Sequence, residues 1–208
     1  RSTLFPYTTL FRSPYSLGAT PAPNIVTATL AMPGGRIANL LRESATFSPR
    51  IIQGLTAQGL TPGSTLFEQF FRDAQTVIDA ADPANYISAA VAARPTHIIQ
   101  VVGDGTPATQ DQVVPNTATK YLIDAAAGAI TQITRPAAPG PIVNPSGHRV
   151  FVNFVAGDHS SILLPTASAG ATQEMQTEAV SFAAGTLTPV VIPPGQLINV
   201  AVPAVIQP

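Results

Sequence analysis

The sequence predicts an α/β fold, with helices flanking the strands of a mostly parallel sheet. Three observations predict it. Short β-prone apolar runs recur along the chain, each closed by glycine, proline or aspartate. Between them stand longer segments whose apolar residues repeat at i, i+3 and i+4. The order is strand, excursion with helix, strand, loop, strand, helix, which is the alternation of strands joined by crossovers.

The first run, 24–32 (NIVTATLAM), is a buried strand that Pro33-Gly34-Gly35 turns away from the sheet. Residues 37–41 suit a short helix, and Pro49, Gly54, Gly59, Pro62 and Gly63 mark a loop-rich excursion. A helix is expected from Thr65, whose hydroxyl can cap it while Glu68 reaches back, the spacing of a capping box. Phe67, Phe70, Phe71, Ala74, Val77, Ile78 and Ala81 form its apolar stripe, and Asp82-Pro83 stops it. The stripe is expected to pack on the sheet, with a mobile lid over a lipid site as the sharper alternative.

Residues 97–102 (HIIQVV) have the continuous apolar character of a central parallel strand covered on both faces, ended by Gly103-Asp104-Gly105. A polar loop, 106–116, carries Asp111 in the segment DQVVPN, and 121–127 suits a brief helix. Proline and glycine dominate 135–147, which is expected to be a surface connection. Residues 148–155 (HRVFVNFV) are the next strand, ending in Ala156-Gly157-Asp158-His159-Ser160-Ser161. A last helix is capped by Ser168, presents Met175, Ala179, Phe182 and Ala183, and ends at Gly185. The tail, 186–208, is compatible with an edge strand. Three strands make a partial sheet, whose outer edge is exposed unless further strands or another chain cover it.

The whole-chain balance narrows the function classes. With 208 residues and 45% hydrophobic content the chain can bury one core. Only 10% of residues are charged and the net charge is -1, so there is no basic field for nucleic acid and no polybasic anchor. Cysteine is absent, which excludes disulfides, thiol nucleophiles and thiolate metal sites. No apolar run is long enough to span a bilayer. A single lysine, Lys120, and a wealth of Ala, Thr and Pro suit a secreted bacterial protein. The segment 3–13 (TLFPYTTLFRS) resembles the translation of a sequencing-library adapter, and on that reading natural sequence starts near Pro14.

In open α/β sheets, sites form beyond the carboxyl ends of the strands. His97 and His148 stand at strand beginnings and are expected to be structural or surface residues; His159 lies just past a strand end. Asp104 and Asp111 both follow the end of the preceding strand, whereas Asp73, Asp79 and Asp82 belong to a helix and its end. Either loop aspartate can accept a hydrogen bond from the imidazole Nδ1, holding the tautomer whose Nε2 takes a proton from a serine. Gly-Asp-Gly also suits plain turn chemistry, so Asp111 is preferred.

Four segments in register carry a resemblance: TATLAMPGGRIANLL, FRDAQTVIDAADPANY, QVVGDGTPATQDQVVPN and FVAGDHSSILLPTASAGATQEMQTEAVSF. Together, across 25–184, they resemble the C-terminal half of bacterial extracellular or surface lipases of the virulence-factor type. The resemblance implies a partial α/β-hydrolase fold, the C-terminal strands of the sheet with their helices, and a Ser, Asp, His order with the serine on a G-x-S-x-G elbow. By match of motif it makes Asp111 of DQVVPN the triad acid and His159 of GDHSS the triad base. It further implies a lipid or other ester substrate, no cofactor or metal, and an extracellular or outer-surface location.

The nucleophile departs from the pattern. Ser16 in Tyr15-Ser16-Leu17-Gly18 resembles half an elbow, but Pro14 precedes it and the prolines at 21 and 23 prevent the helix that must follow. The elbow and the oxyanion donors are therefore expected upstream. The organisation that results is an artefactual 1–13, a hydrolase C-terminal part over 14–185, and a Pro-rich tail over 186–208. The functional expectation is a carboxylic-ester hydrolase fragment that supplies Asp and His and is inactive alone. The rival is a non-catalytic, β-rich binding or structural module of a secreted protein, with no helix over 65–81 and with Asp111 far from His159.

Overall fold

A strand that is buried on both faces needs an apolar layer on each, and the run at 96–101 has both. The structure, a computed structural model, describes residues 25–187 and 189–208; segment 3–13 and Ser16 lie outside these. Its elements are β1 (Ala28–Ala31), α1 (Ile37–Glu43), α2 (Ser48–Ala57), α3 (Thr65–Ile78), α4 (Ile87–Ala93), β2 (Thr96–Val101), α5 (Asn116–Ala125), β3 (Thr131–Ile133), β4 (Gly140–Val143), β5 (Arg149–Phe154), α6 (Ala169–Ala184) and β6 (Leu197–Val200). The sheet order is β1-β2-β5-β3, all parallel. The chain is thus a mixed α/β protein with a mostly parallel sheet and flanking helices. The outer edge of β1 pairs with no strand among the described residues.

Side chains alternate along β2. Ile99 and Val101, with Val150, Val152 and Phe154 of β5, pack against Ala171, Met175 and Phe182 of α6 and Ile198 and Val200 of β6. Ile98 faces the other way, onto Ile87 and Val91 of α4 and Leu122 of α5. Burial of each large side chain here contributes about 1.5–3 kcal/mol, so the two interfaces fix the sheet between its helices. In α6 the Ser168 hydroxyl accepts from the Ala171 amide at 3.2 Å, and Gly185, at φ 66, ends the helix. Both ends match the sequence expectation.

Several expectations give way. The loop-rich excursion contains α2: Pro49 falls in its first turn, where a missing N–H leaves no intrahelical bond unmade, and Gly54 faces open space. The cap of α3 is Ser64, not Thr65, its hydroxyl accepting from the Phe67 amide at 3.2 Å, while Glu68 pairs with Arg42 at 2.7 Å. The aromatic stripe packs on α1 and α2 rather than on the sheet. Phe67 and Phe71 are buried with Ala38, Ile51, Ile52 and Leu55, whereas Phe70 is 40% and Val77 82% exposed.

The sheet gains a fourth strand, β3. The Pro-rich connection holds β4, which pairs antiparallel with β6 in a separate two-stranded sheet that tolerates Pro141 because β4 has one partner only. The tail therefore shares the main core: Ile198 and Ile206 are fully buried, and the amide of Val155 donates to the Val205 carbonyl at 2.8 Å.

Candidate active site

Two loops leave the carboxyl ends of the adjacent parallel strands β2 and β5, and the candidate aspartates and histidine lie on them. After β2, Gly103 turns the chain at φ 68, where a Cβ would stand 2.6 Å from the Thr109 backbone. The Asp104 carboxylate closes this turn, accepting from the Thr106 amide at 3.0 Å, the Thr106 hydroxyl at 2.8 Å and the Thr109 hydroxyl at 2.7 Å. The Thr106 amide and the Thr109 and Thr106 hydroxyls hold the exposed Asp104 carboxyl below its usual value. Asp104 is thus occupied locally and makes no contact with an imidazole.

The loop then returns to β2, where the Asp111 amide donates to the Val101 carbonyl at 3.2 Å. Asp111 Oδ1 accepts from the amides of Val113 at 2.7 Å and Val114 at 3.0 Å. Its other oxygen, Oδ2, stands 2.8 Å from His159 Nδ1. The Asp111 side chain is 2% exposed and the His159 side chain 24%.

His159 is presented by a self-closed turn. Gly157 bends the chain at φ 116; Asp158 Oδ1 accepts from the Ser160 amide at 2.8 Å and the Ser161 hydroxyl at 2.9 Å; the Asp158 amide donates to Ser161 Oγ at 2.7 Å. Ser161 is fully buried and committed to Asp158. A carboxylate only accepts, so the 2.8 Å contact puts the ring proton on Nδ1 and, in the neutral ring, leaves the lone pair on Nε2. Among the described residues nothing hydrogen-bonds Nε2. Such a pair can take a proton from a hydroxyl, the buried carboxylate stabilising the imidazolium that forms.

The other histidines sit elsewhere. His148 is buried with Nε2 3.1 Å from the Ile142 carbonyl, and burial lowers its pKa. His97 is wholly buried between β2 and α6, not at the surface, and burial drives its pKa down to about 3. Asp82, placed by the sequence at a helix end, is a structural hub. Its carboxylate accepts from the amides of Arg36 at 3.1 Å, Ile37 at 2.9 Å and Ala84 at 3.0 Å, and from Gln75 Nε2 at 2.9 Å.

Those bonds hold Arg36 at φ 53, close to Met32 at φ 46, in the turn that leaves the carboxyl end of β1 on the rim that carries the pair. Non-glycine residues in this region cost about 1–3 kcal/mol each, and the Asp82 bonds offset that. The sequence reading missed Glu174 and Glu178, two buried carboxylates on α6. Their i, i+4 spacing resembles a solvated helix face, and no local signal marks them as buried.

Two open grooves, one along Gln173, Gln176 and Val180 of α6 and one between α1 and α3 beside Arg42 and Arg72, contain neither Asp111 nor His159. Among the described residues no group of three or more histidine, aspartate or glutamate side chains could hold a metal ion, and no helix is long and apolar enough to cross a membrane. No protein-family model, curated protein or solved structure matches the chain.

Proposed function

We propose that this chain supplies the acid and base of a Ser-Asp-His carboxylic-ester hydrolase of the lipase or esterase type, in a partial α/β-hydrolase fold. The observation that carries the reading is the 2.8 Å bond between Asp111 Oδ2 and His159 Nδ1 at the carboxyl ends of neighbouring parallel strands. In this reaction a serine from sequence outside the described residues attacks the ester carbonyl. His159 Nε2 takes the serine proton and returns it to the leaving alcohol, while Asp111 keeps the imidazolium in place. Water then repeats the cycle on the acyl-enzyme, with His159 again as base. The substrate is a lipid or other ester, and the site of action is extracellular or on the bacterial surface.

Two features favour this reading over a non-catalytic secreted module. Such a module would lack a helix over 65–81 and keep Asp111 away from His159; α3 spans Thr65–Ile78, and the two side chains are bonded. The test is to express the gene with the sequence preceding residue 25 taken from an independent read, and to assay short- and long-chain acyl esters. Ester hydrolysis that His159→Ala abolishes supports the reading, and His159→Ala with full activity sinks it. The present chain alone should hydrolyse nothing; robust turnover blocked by a serine-directed inhibitor would contradict an external nucleophile.

A further inference from the structure

Two glutamates on one turn of α6 meet a histidine of β2 in the apolar interior. The side chains of Glu178 and His97 are 0% exposed, and Glu174 is equally buried. Glu174 Oε2 accepts from the amides of Ala201, at 2.8 Å, and Val202, just past β6. Glu178 Oε2 stands 3.2 Å from His97 Nε2 but misaligned, and among the described residues the one side chain close enough to share a proton with the Glu178 carboxyl is Glu174, one turn away.

The titratable groups around Glu178 are Glu174 on its own helix and His97 on β2, with His148 beyond His97 at the start of β5. Among the described residues β1 contributes the Thr29 hydroxyl, 3.5 Å from His97 Nδ1, and the end of β6 contributes backbone amides. Among the described residues neither glutamate pairs with a lysine or arginine.

Three charge states compete. Two ionised glutamates beside a neutral histidine would leave two negative charges one turn apart in apolar surroundings, with donors for only one. An imidazolium paired with ionised Glu178 must repay two desolvations, which takes a well-aligned bond, and the 3.2 Å contact does not supply one. A protonated Glu178 beside neutral His97 leaves one charge, on Glu174, where two amides receive it.

Burial acts the same way on each group. It pushes Glu178 up to about 8 and Glu174 up to about 7, and it pushes His97 down to about 3.

We propose that Glu178 is kept as a neutral carboxylic acid, so that only one negative charge is buried where α6 packs on β2 and β6, and that losing its proton in mildly alkaline solution loosens the α6–β6 layer. The same helix reaches the candidate site at its other end. Ala171, in the first turn of α6, is 3.4 Å from where a Cβ on Gly157 would stand, so α6 supports the turn that presents His159. The proposal does not depend on ester hydrolysis.

Its sign follows from a folded value above the ordinary one. The stabilisation is complete below 4.5 and is lost as pH rises toward 8.

Thermal unfolding of the chain between pH 6 and pH 9 tests it, with Glu178→Gln as the variant that keeps the shape and cannot ionise. The melting temperature of the unsubstituted chain should fall by about 5 °C or more across that range, and the variant should remove most of the fall. In infrared difference spectra the carboxylic-acid carbonyl absorption should disappear between the same pH values, and Glu178→Gln should remove the component that persists to the higher pH, leaving that of Glu174. If the variant does not fold, the band and melting curve of the unsubstituted chain decide alone. A flat melting profile, or a charged His97 with no acid band at pH 7, overturns the proposal.

Discussion

Asp111 Oδ2 lies 2.8 Å from His159 Nδ1, and the opposite Asp111 oxygen is taken by the amides of Val113 and Val114. The carboxylate is therefore anchored on its far side and offers one oxygen to one nitrogen. An acid held this way fixes the imidazole tautomer without a further side chain.

Asp111→Asn should disturb that tautomer. An amide can donate as well as accept, so Nδ1 no longer needs to carry the proton. Nitrogen-15 spectra of the chain should show His159 protonated at Nδ1 in the unsubstituted form and a mixture or reversal in the variant. Asp111→Ala also strands one buried and one half-buried amide and should lower unfolding stability by about 2 kcal/mol in urea titration.

Asp104→Asn is the matched control. The Asp104 carboxylate is spent on Thr106 and Thr109, at the surface, so His159 should keep its tautomer and the melting temperature should barely move. A change in the His159 nitrogen shifts would mean that the wrong aspartate had been joined to the histidine.

Gly103→Ala should loosen the acid loop from a distance. Alanine is strained at φ 68, and its Cβ would stand 2.6 Å from the Thr109 backbone, so the turn must shift. The expected cost is about 1–3 kcal/mol by denaturant unfolding, with faster exchange of the His159 Nδ1 proton.

Phe71→Ala and Phe70→Ala separate the two sides of α3. Phe71 is 4% exposed and Phe70 40%. Phe71→Ala should cost about 3–5 kcal/mol and Phe70→Ala less than half of that, read by urea unfolding.

Stability should also fall in acid, by a route separate from Glu178. The His97 value is depressed from 6.5 to about 3, so its contribution is complete above 6.5 and is lost as pH falls toward 3. With both glutamates losing theirs as pH rises above 4.5, faster than His97 alone gains, the melting temperature should peak near pH 4.5. His97→Gln should flatten the acid limb of that profile; an unchanged limb would place the acid sensitivity elsewhere.

What the sequence reveals depends on how local the cause is. The strands β2 and β5 are legible because a continuous apolar run has few other uses, and α6 because Ser168 and Gly185 mark both its ends. The helix α2 is hidden by Pro49 and Gly54, residues that break helices elsewhere but stand harmlessly in a first turn and on an open face. The strands β4 and β6 are hidden because each is defined by its distant partner rather than by its own pattern.

In the site, position past a strand end selects His159 and two aspartates. Only the fold separates those two, through the Val113 and Val114 amides that turn Asp111 toward the ring and the threonines that occupy Asp104. Burial of Glu174 and Glu178 is equally a tertiary fact, since a glutamate pair at i, i+4 has the same sequence whether it faces water or β2.

The most direct test of the proposed chemistry is kcat for ester hydrolysis by the intact parent protein carrying Asp111→Asn. The account predicts a fall of about 10⁴-fold with KM little changed, as expected when an imidazole loses its enforced tautomer, and near-normal kcat for Asp104→Asn. A parent enzyme that keeps its full kcat after Asp111→Asn would contradict it.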